Sequence, residues 1–379
     1  MSRGDQPPPA GSRALSGAPL GSAAPLDSVP GSAAPLGSVL NPTAQPVRPP
    51  VMGDVAKMAG VSHQTVSRVL NNHPNVSGKT RERVESAIAQ LGYRRNTAAR
   101  SLVTRRSRTI GVLACETGQF GPANTLLGVE QAGREAGYFV SIANLREVTG
   151  ESINDAIAHF RNQSVDGIVI LVPHPDVLAV LGDVSVPVPI VAVGAGAGNQ
   201  LTGASLDQRL GARLAVEHLI GLGHRNIAHI SGPPHWIDAA ERIKGWQEAL
   251  GTAGLDAGVL LEGGWDAASG YRAGRDLLDH RSITAVFVAN DQMAVGVLRA
   301  VQEAGRHVPG DISVVGYDDQ PEAEFFMPPL TSVKQDFEEL GRRCMEAVLQ
   351  QLDGEPASDE QMVNPRLVIR STTAAPAPR

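Results

Sequence analysis

The apolar positions change their period twice along the chain. Residues 1–50 show neither a helical nor a strand repeat: Pro, Gly, Ala and Ser dominate, and Gly-Ser-Ala-Ala-Pro-Leu occurs at 21–26 and again at 31–36. Such a stretch cannot bury enough apolar area to offset the entropy of ordering it, so a disordered extension is expected. A functional tail and a translation start set too far upstream are equal explanations for it. Residues 51–95 read as short amphipathic helices. From 109 onward, apolar runs at Thr109–Ala114, Phe139–Ala143, Gly167–Val172, Pro189–Val193, Ile227–Ser231, Ala285–Ala289 and Ile312–Gly316 alternate with helical stretches. That is the rhythm of parallel α/β units, and about 260 residues of it is too much for one compact open sheet, which predicts two α/β subdomains with a cleft between them.

The helical segment divides at Ala59-Gly60-Val61, where glycine permits a sharp turn. Ser62 suits the N-cap of the second helix, and Val66, Val69 and Leu70 supply its buried face. Ser77 caps a third helix with core positions Val84, Ile88 and Leu91, and Gly92 stands where a C-terminal glycine belongs. Three short helices with a tight turn between the first two make a helix-turn-helix. In that geometry His63, Gln64 and Thr65 open the helix that meets base edges in the major groove. Gln64 can bond adenine through two hydrogen bonds, and Arg68 one turn on can reach guanine or phosphate. A protein-binding helical module, with Ser62 and Thr65 serving only as caps, is the alternative.

Charge favours DNA. Residues 51–106 carry ten basic and three acidic side chains, a charge of +7; the first fifty residues carry +1, which leaves -14 for 107–379 out of a total of -6. One compact basic module on an acidic body points to a nucleic-acid partner for that module alone. Two distant cysteines, Cys115 and Cys344, fit no disulfide framework or metal spacing and suit a reducing cytoplasm. No run of about 18 apolar residues predicts a membrane span, and the proline-broken N-terminus lacks a secretory h-region.

In parallel α/β sheets ligands sit beyond the carboxyl ends of the strands. Cys115-Glu116, Pro173-His174, Asn290-Asp291 and Asp318-Asp319 follow predicted strands, and Asp, Asn and Arg are the groups that bond sugar hydroxyls while aromatics cover the apolar face. Aromatic residues are only 4% of the chain, yet Trp236, Trp246, Trp265, Phe325, Phe326 and Phe337 all fall in its second half. Each has a structural alternative: Asn290 and Asp318 as helix caps, Trp246 as core. No catalytic pattern competes, since the glycine run at 194–198 breaks the dinucleotide fingerprint at Asn199, and His-Glu-x-x-His, Gly-x-Ser-x-Gly and Walker patterns do not occur. The expectation is no enzyme, no catalytic residue, no metal and no cofactor.

Asp54-Val55-Ala56, Ala59-Gly60-Val61-Ser62, Thr65-Val66-Ser67-Arg68-Val69 and Val76-Ser77-Gly78-Lys79-Thr80-Arg81 resemble the head piece of the lactose-repressor (LacI) family of bacterial transcription factors. The run Asn96-Thr97-Ala98-Ala99-Arg100-Ser101-Leu102 is similar to the family's hinge helix, which orders on operator DNA and inserts a leucine into the minor groove. The resemblance implies DNA contacts at His63, Gln64, Thr65, Arg68, Asn71, Ser77, Lys79, Thr80, Asn96 and Leu102, with Ala99 facing the partner subunit's hinge. Further runs, Val216–Leu219, Gly221–His224, Val288–Ala294, Asp311–Asp319 and Lys334–Phe337, are similar to the member that gives the family its name, more than to a generic member. They imply a periplasmic-binding-protein-like core of two doubly wound subdomains, with Arg242 and Asn290 contacting effector hydroxyls, Asp318 accepting from them, and Trp265 and Phe337 as apolar walls.

Two departures stand out. Gly194 replaces a sugar-bonding aspartate after the fourth strand, and Cys115 stands where a serine ends the first, so Cys115 joins the effector set and the sugar need not be a galactoside. Asp207 offers a substitute carboxylate or a helix cap. The implied organisation is a disordered extension 1–50, a helix-turn-helix domain 51–95, hinge helix and linker 96–107, effector-binding and dimerisation core 108–372, and disordered tail 373–379. The implied function is a cytoplasmic homodimeric repressor released from a pseudo-palindromic operator by a sugar. Some family members instead bind purines that tighten DNA binding, and a secreted sugar-binding protein would share the core but not the head piece. The chain's last residues, Ser371–Arg379, cannot form the leucine-heptad helix that makes tetramers, so a dimer is expected.

Overall fold

The structure, a computed structural model, describes residues 48–94, 106–172, 174, 177, 186–194, 202–355 and 361–378. The chain divides into two units, Met1–Arg95 and Asn96–Arg379.

In the first unit, α1 (Met52–Ala59), α2 (His63–Leu70) and α3 (Gly78–Leu91) enclose a core of Val55, Ala59, Val66, Val69, Val84 and Tyr93. Gly60 takes a left-handed φ of 62°, which a residue with a side chain adopts at a cost, and so turns α1 sharply into α2. Ser62 Oγ accepts from Thr65 N at 3.1 Å and Ser77 Oγ from Thr80 N at 3.3 Å, so both helices start on a serine cap. Gly92, with φ 62°, closes α3. Ala87 is buried beside Val84, while Ile88 and Leu91 sit half-buried at the core's margin. Arg81 donates to Asn72 Oδ1 at 3.1 Å and to the His73 carbonyl at 3.3 Å, tying the loop between α2 and α3 to α3.

Among its described residues the second unit holds two six-stranded sheets. The first runs β2 (Phe139–Leu145), β1 (Thr109–Cys115), β3 (Gly167–Leu171), β4 (Ile190–Val193), β5 (Thr202–Leu206) and β11 (Gln361–Val363), all parallel. The second runs β7 (Leu260–Glu262), β6 (Ile227–Ser231), β8 (Ala285–Val288), β9 (Ser313–Asp318), β10 (Thr331–Lys334) and β12 (Arg366–Val368), parallel except for β12. Central strands are buried on both faces, which is why they read as unbroken apolar runs. Helices α4 (Phe120–Glu135), α5 (Gly150–Gln163) and α10 (Phe337–Leu352) flank the first sheet. The second is flanked by α6 (Gln208–Gly221), α7 (Ile237–Thr252), α8 (Ala267–Leu277) and α9 (Asp291–Glu303).

The chain therefore crosses between the lobes three times: from β5 to α6, from β10 to α10, and from β11 to β12. Gln208, Gln335 and Phe337 stand at the first two crossings.

The expected disorder of 373–379 does not hold for its first residues. Thr372 O accepts from Val314 N at 2.8 Å and Ala374 N donates to Ser313 Oγ at 3.0 Å. His218 Nε2 lies 3.0 Å from Thr373 Oγ1, and His224 Nε2 lies 2.9 Å from the Ala374 carbonyl. Polar strand-end and helix groups tie this segment down, which composition alone did not reveal. Trp246 is core, with Nε1 donating to the Ile227 carbonyl at 3.3 Å.

Candidate functional site

On the helical unit, His63, Gln64 and Arg68 are exposed on α2, while the opposite face carries Val66 and Val69 into the core. Thr65 Oγ1 pairs with Ser62 Oγ at 2.9 Å, and Ser77 Oγ donates to Thr80 Oγ1 at 2.9 Å, so these hydroxyls already serve caps. Asn71 ends α2 and reaches Ser67 Oγ at 3.5 Å; Lys79 is exposed near the start of α3. Asn96, Ala99 and Leu102 lie outside the described residues.

Between the two lobes lies a cavity with about 790 Å³ of free volume, including the part open to solvent. Arg242, Asn290, Asp318, Trp265 and Phe337 all line it. All but Arg242, which lies within α7, stand at or beside a helix start or a strand end. Asn290 caps α9, its Oδ1 accepting from Met293 N at 2.9 Å, while Nδ2 donates to the Trp265 carbonyl at 2.9 Å. Trp265 holds a left-handed φ of 68° just before α8, and its ring lies where a β-carbon on Gly232 would stand 2.1 Å from it, so only glycine after β6 admits the indole.

Arg242, on α7, is buried under a ring of partners. Its Nε donates to Gln208 Oε1 at 2.9 Å and Nη1 to the Ala289 carbonyl. The guanidinium lies 4.0 Å from the Tyr317 ring centroid, and Nη2 stands 3.9 Å from Asp318 Oδ1. Only part of the donor fork is thus left for a ligand. Asp318, at the end of β9, accepts from Gln335 Nε2 at 2.7 Å. Burial pushes its carboxyl up to about 6, against the opposing pull of Arg242. Asp238, which also lines the cavity, is raised by burial and held back by Arg242. Trp265 Nε1 and Gln335 Oε1 are buried with no hydrogen-bond partner among the described residues.

Cys115 does not join this group. Alternation along β1 turns it, with Leu113, towards α5, where it packs among Leu145, Ile153 and Ile157; burial pushes its thiol up to about 12. Asp207 Oδ1 accepts from Leu210 N at 2.8 Å and caps α6, and Asp207 is not among the cavity residues. Asp318 does not cap the turn that follows it; Asp291 Oδ2 accepts from Gln320 N at 2.8 Å instead. Sequence reasoning missed Gln119, Phe120, Gln208, Asp238 and Gln335, and named Trp236 only as one of several aromatic residues in the second half of the chain. Their signal is positional: all stand at a strand end or at the first residues of a helix. Among the described residues no cluster of His, Cys, Asp or Glu could hold a metal, and no helix is long and apolar enough to cross a membrane.

A helix-turn-helix joined to two α/β lobes around an enclosed cavity defines the regulators that couple a DNA-binding head to a ligand-binding core. Residues 51–96 match the lacI family of bacterial regulatory proteins, and residues 216–373 match the periplasmic binding protein-like domain. The lactose operon repressor of Escherichia coli (strain K12) is 36% identical over 332 residues, 87% of this chain and 92% of that protein. The lac repressor dimer bound to operator and the anti-inducer ONPF superposes with a TM-score of 0.80 at 36% identity, covering 86% of this chain and all of that one. A complex of the transcriptional regulator CelR with cellobiose does so with a TM-score of 0.65 at 34% identity, covering 85% and 99%. The chain belongs to the lacI family of bacterial regulatory proteins: it is a DNA-binding transcriptional regulator and not an enzyme.

Proposed function

We propose that the protein is a cytoplasmic homodimeric repressor whose operator complex is released by an uncharged sugar bound between the lobes. The observation that carries this reading is the polar inventory of the cavity. Trp265 Nε1 and Arg242 Nη2 offer donors, Gln335 Oε1 and Asp318 Oδ2 offer acceptors, and aromatic rings supply apolar walls. Interleaved donors and acceptors suit hydroxyl groups, each of which both donates and accepts. Arg242 is the single cation lining the cavity among the described residues, against two carboxylates, which disfavours anionic ligands.

On the DNA side, His63, Gln64, Thr65 and Arg68 read bases, while Asn71, Ser77, Lys79 and Thr80 hold phosphates and Asn96, Ala99 and Leu102 form the hinge contact. The extension 1–50 has no part in folding, and the boundaries at 95 and 107 separate head, hinge and core. Exposed Phe325 and Met327, at 77% and 92%, and Leu127 on α4 are apolar side chains that a second copy would cover. Sedimentation should show a dimer; a stable tetramer contradicts it. Sugar binding favours a lobe arrangement that separates the paired hinges, and by linkage operator DNA weakens sugar binding by the same factor.

The test is operator affinity with and without a sugar panel. At least one sugar should lower it more than tenfold, and Asp318→Asn, which keeps the shape and the Gln335 bond, should blunt the response while operator affinity without sugar stays at the wild-type value. Hypoxanthine or guanine tightening the complex, with no sugar acting, would replace induction by corepression.

A further inference from the structure

Asp318 enters the cavity from a stretch of backbone that does not hold itself. Asp318 and Asp319 have φ of 98° and 49°, two consecutive left-handed residues and neither a glycine. Such a conformation persists only where the surroundings over-determine it. Asp318 lines the cavity. Asp319 does not; its carboxylate forms an ion pair with Arg370 Nη2 at 2.7 Å and lies 3.8 Å from Lys334 Nζ.

A third carboxylate restrains the turn. Asp291, the first residue of α9, is fully buried and does not line the cavity. Its Oδ2 accepts from Gln320 N at 2.8 Å and its Oδ1 from Ser332 Oγ at 2.6 Å, while Ser332 Oγ accepts from Asp319 N at 3.1 Å. Both peptide N–H groups after Asp318 therefore end on Asp291, one directly and one through the hydroxyl. Strand β9 makes room for it at Gly316, where a β-carbon would stand 2.2 Å from Asp291 Oδ1. Burial pushes the Asp291 carboxyl well above the ordinary range and Asp318 and Asp319 push the same way, against the bonds from Ser332 and Gln320. Packing alone would be met by an apolar side chain at less cost; two converging donors would not. We propose that Asp291 is a positioning residue of the effector site: it fixes the left-handed turn at 318–319, and with it the place of the Asp318 carboxylate in the cavity, without itself lining that cavity. The neighbouring Asn290 holds the Trp265 backbone, so the start of α9 sets two of the effector contacts at once. The inference rests on the reading of Asp318 as an effector contact.

Amide hydrogen exchange, urea unfolding and titration calorimetry on the full chain test it, with cellobiose and lactose as probes. In Asp291→Ala, exchange at Asp319 and Gln320 should speed up at least tenfold relative to β6 and β8, and the better-bound sugar should bind at least tenfold more weakly. The stability difference made by adding Asp318→Asn should lose at least half its variation between pH 4 and 7, because a released carboxyl returns towards its ordinary range. Asp291→Asn keeps an acceptor for Gln320 and an amide for Ser332, and should stay within threefold of wild type in exchange and binding. Val297→Ala, which opens the core under the same helix, should lower the urea midpoint and move none of the other readouts. Ser332→Ala cuts only the Asp319 branch and should speed exchange there more than at Gln320, which decides the matter should Asp291→Ala not fold. Should exchange at 319–320, the Asp318 titration or sugar affinity move no further in Asp291→Ala than in Val297→Ala, the positioning role is overturned. Failure of both sugars to bind the wild-type chain, with exchange and titration shifting as stated, overturns the sugar reading and leaves the positioning role standing.

Discussion

In the helical unit, the side chains that hold the fold and those that face outward are different residues: Val55, Val66, Val69 and Val84 fill the core while His63, Gln64 and Arg68 stand in solvent on the other side of the same helix. In the cleft the two jobs fall on the same atoms. Asn290 caps α9 and holds the Trp265 backbone with the amide that also faces the cavity. Arg242 bonds the Gln208 side chain and the carbonyl after β8, and approaches Asp318. A DNA surface reads a wide, wet groove and needs exposed side chains on a rigid support. A ligand cleft must exclude water, so its polar groups are desolvated and persist only by bonding one another. Readout and stability should therefore separate by mutation in the head and stay coupled in the cleft.

The sharpest break of that contrast is Arg242→Leu. It leaves the Gln208 and Ala289 acceptors and two carboxyls without their cation, at a cost of about 3–5 kcal/mol for a broken buried pair, so urea unfolding of the core should shift as sugar response disappears. Wild-type stability in this variant would show that the cleft residues do not hold the lobes.

Next is a pH effect confined to the core. Asp318 titrates near about 6 in the folded chain, against roughly 3.9 for an unfolded aspartate. The folded state thus binds the proton more tightly between those values. Its contribution is fully present below about pH 4 and is lost as pH rises through about 6, amounting to about 3 kcal/mol. The stability difference between wild type and Asp318→Asn should fall over that window and be flat above pH 7; a flat difference throughout would mean the carboxylate ionises as it would in water.

In the head, Gln64→Ala should cost about 1–3 kcal/mol at one base pair of the operator with the melting temperature unchanged. Uniform loss on all sequences would remove Gln64 from base readout. The smallest effect is Ser62→Ala, which removes a cap worth about 1 kcal/mol and should lower the head's melting temperature with little change in base preference.

Seven strands lie where unbroken apolar runs place them, with ends differing by a residue or two: β1, β2, β3, β4, β6, β8 and β9. The strands that pattern did not reveal are β5, β7, β10, β11 and β12. These are short or lie near sheet edges, and β10 reads Thr-Ser-Val-Lys, whose buried hydroxyls are satisfied from afar: Thr331 Oγ1 accepts from Arg370 N and Ser332 Oγ donates to Asp291 Oδ1. The cavity follows the same division. Trp265, Asn290 and Asp318 belong to recognisable motifs or strand ends, whereas Trp236, Asp238 and Gln119 have no local mark beyond standing at helix starts.

The sequence by itself determined the elements whose cause is local: the serine caps and Gly60 turn of the helix-turn-helix, the parallel strands buried on both faces, and the charge contrast between a basic head and an acidic body. Tertiary structure alone decided which strand ends meet. Two of the crossings bring Gln208, Gln335 and Phe337 from distant parts of the chain to one cavity, and the alternation of β1 turns Cys115 away from it. Capping and strand burial depend on neighbours a few residues away, while a cleft depends on pairings between separate elements, from Gln208 with Arg242 to Phe120 with Phe337, which no local pattern encodes.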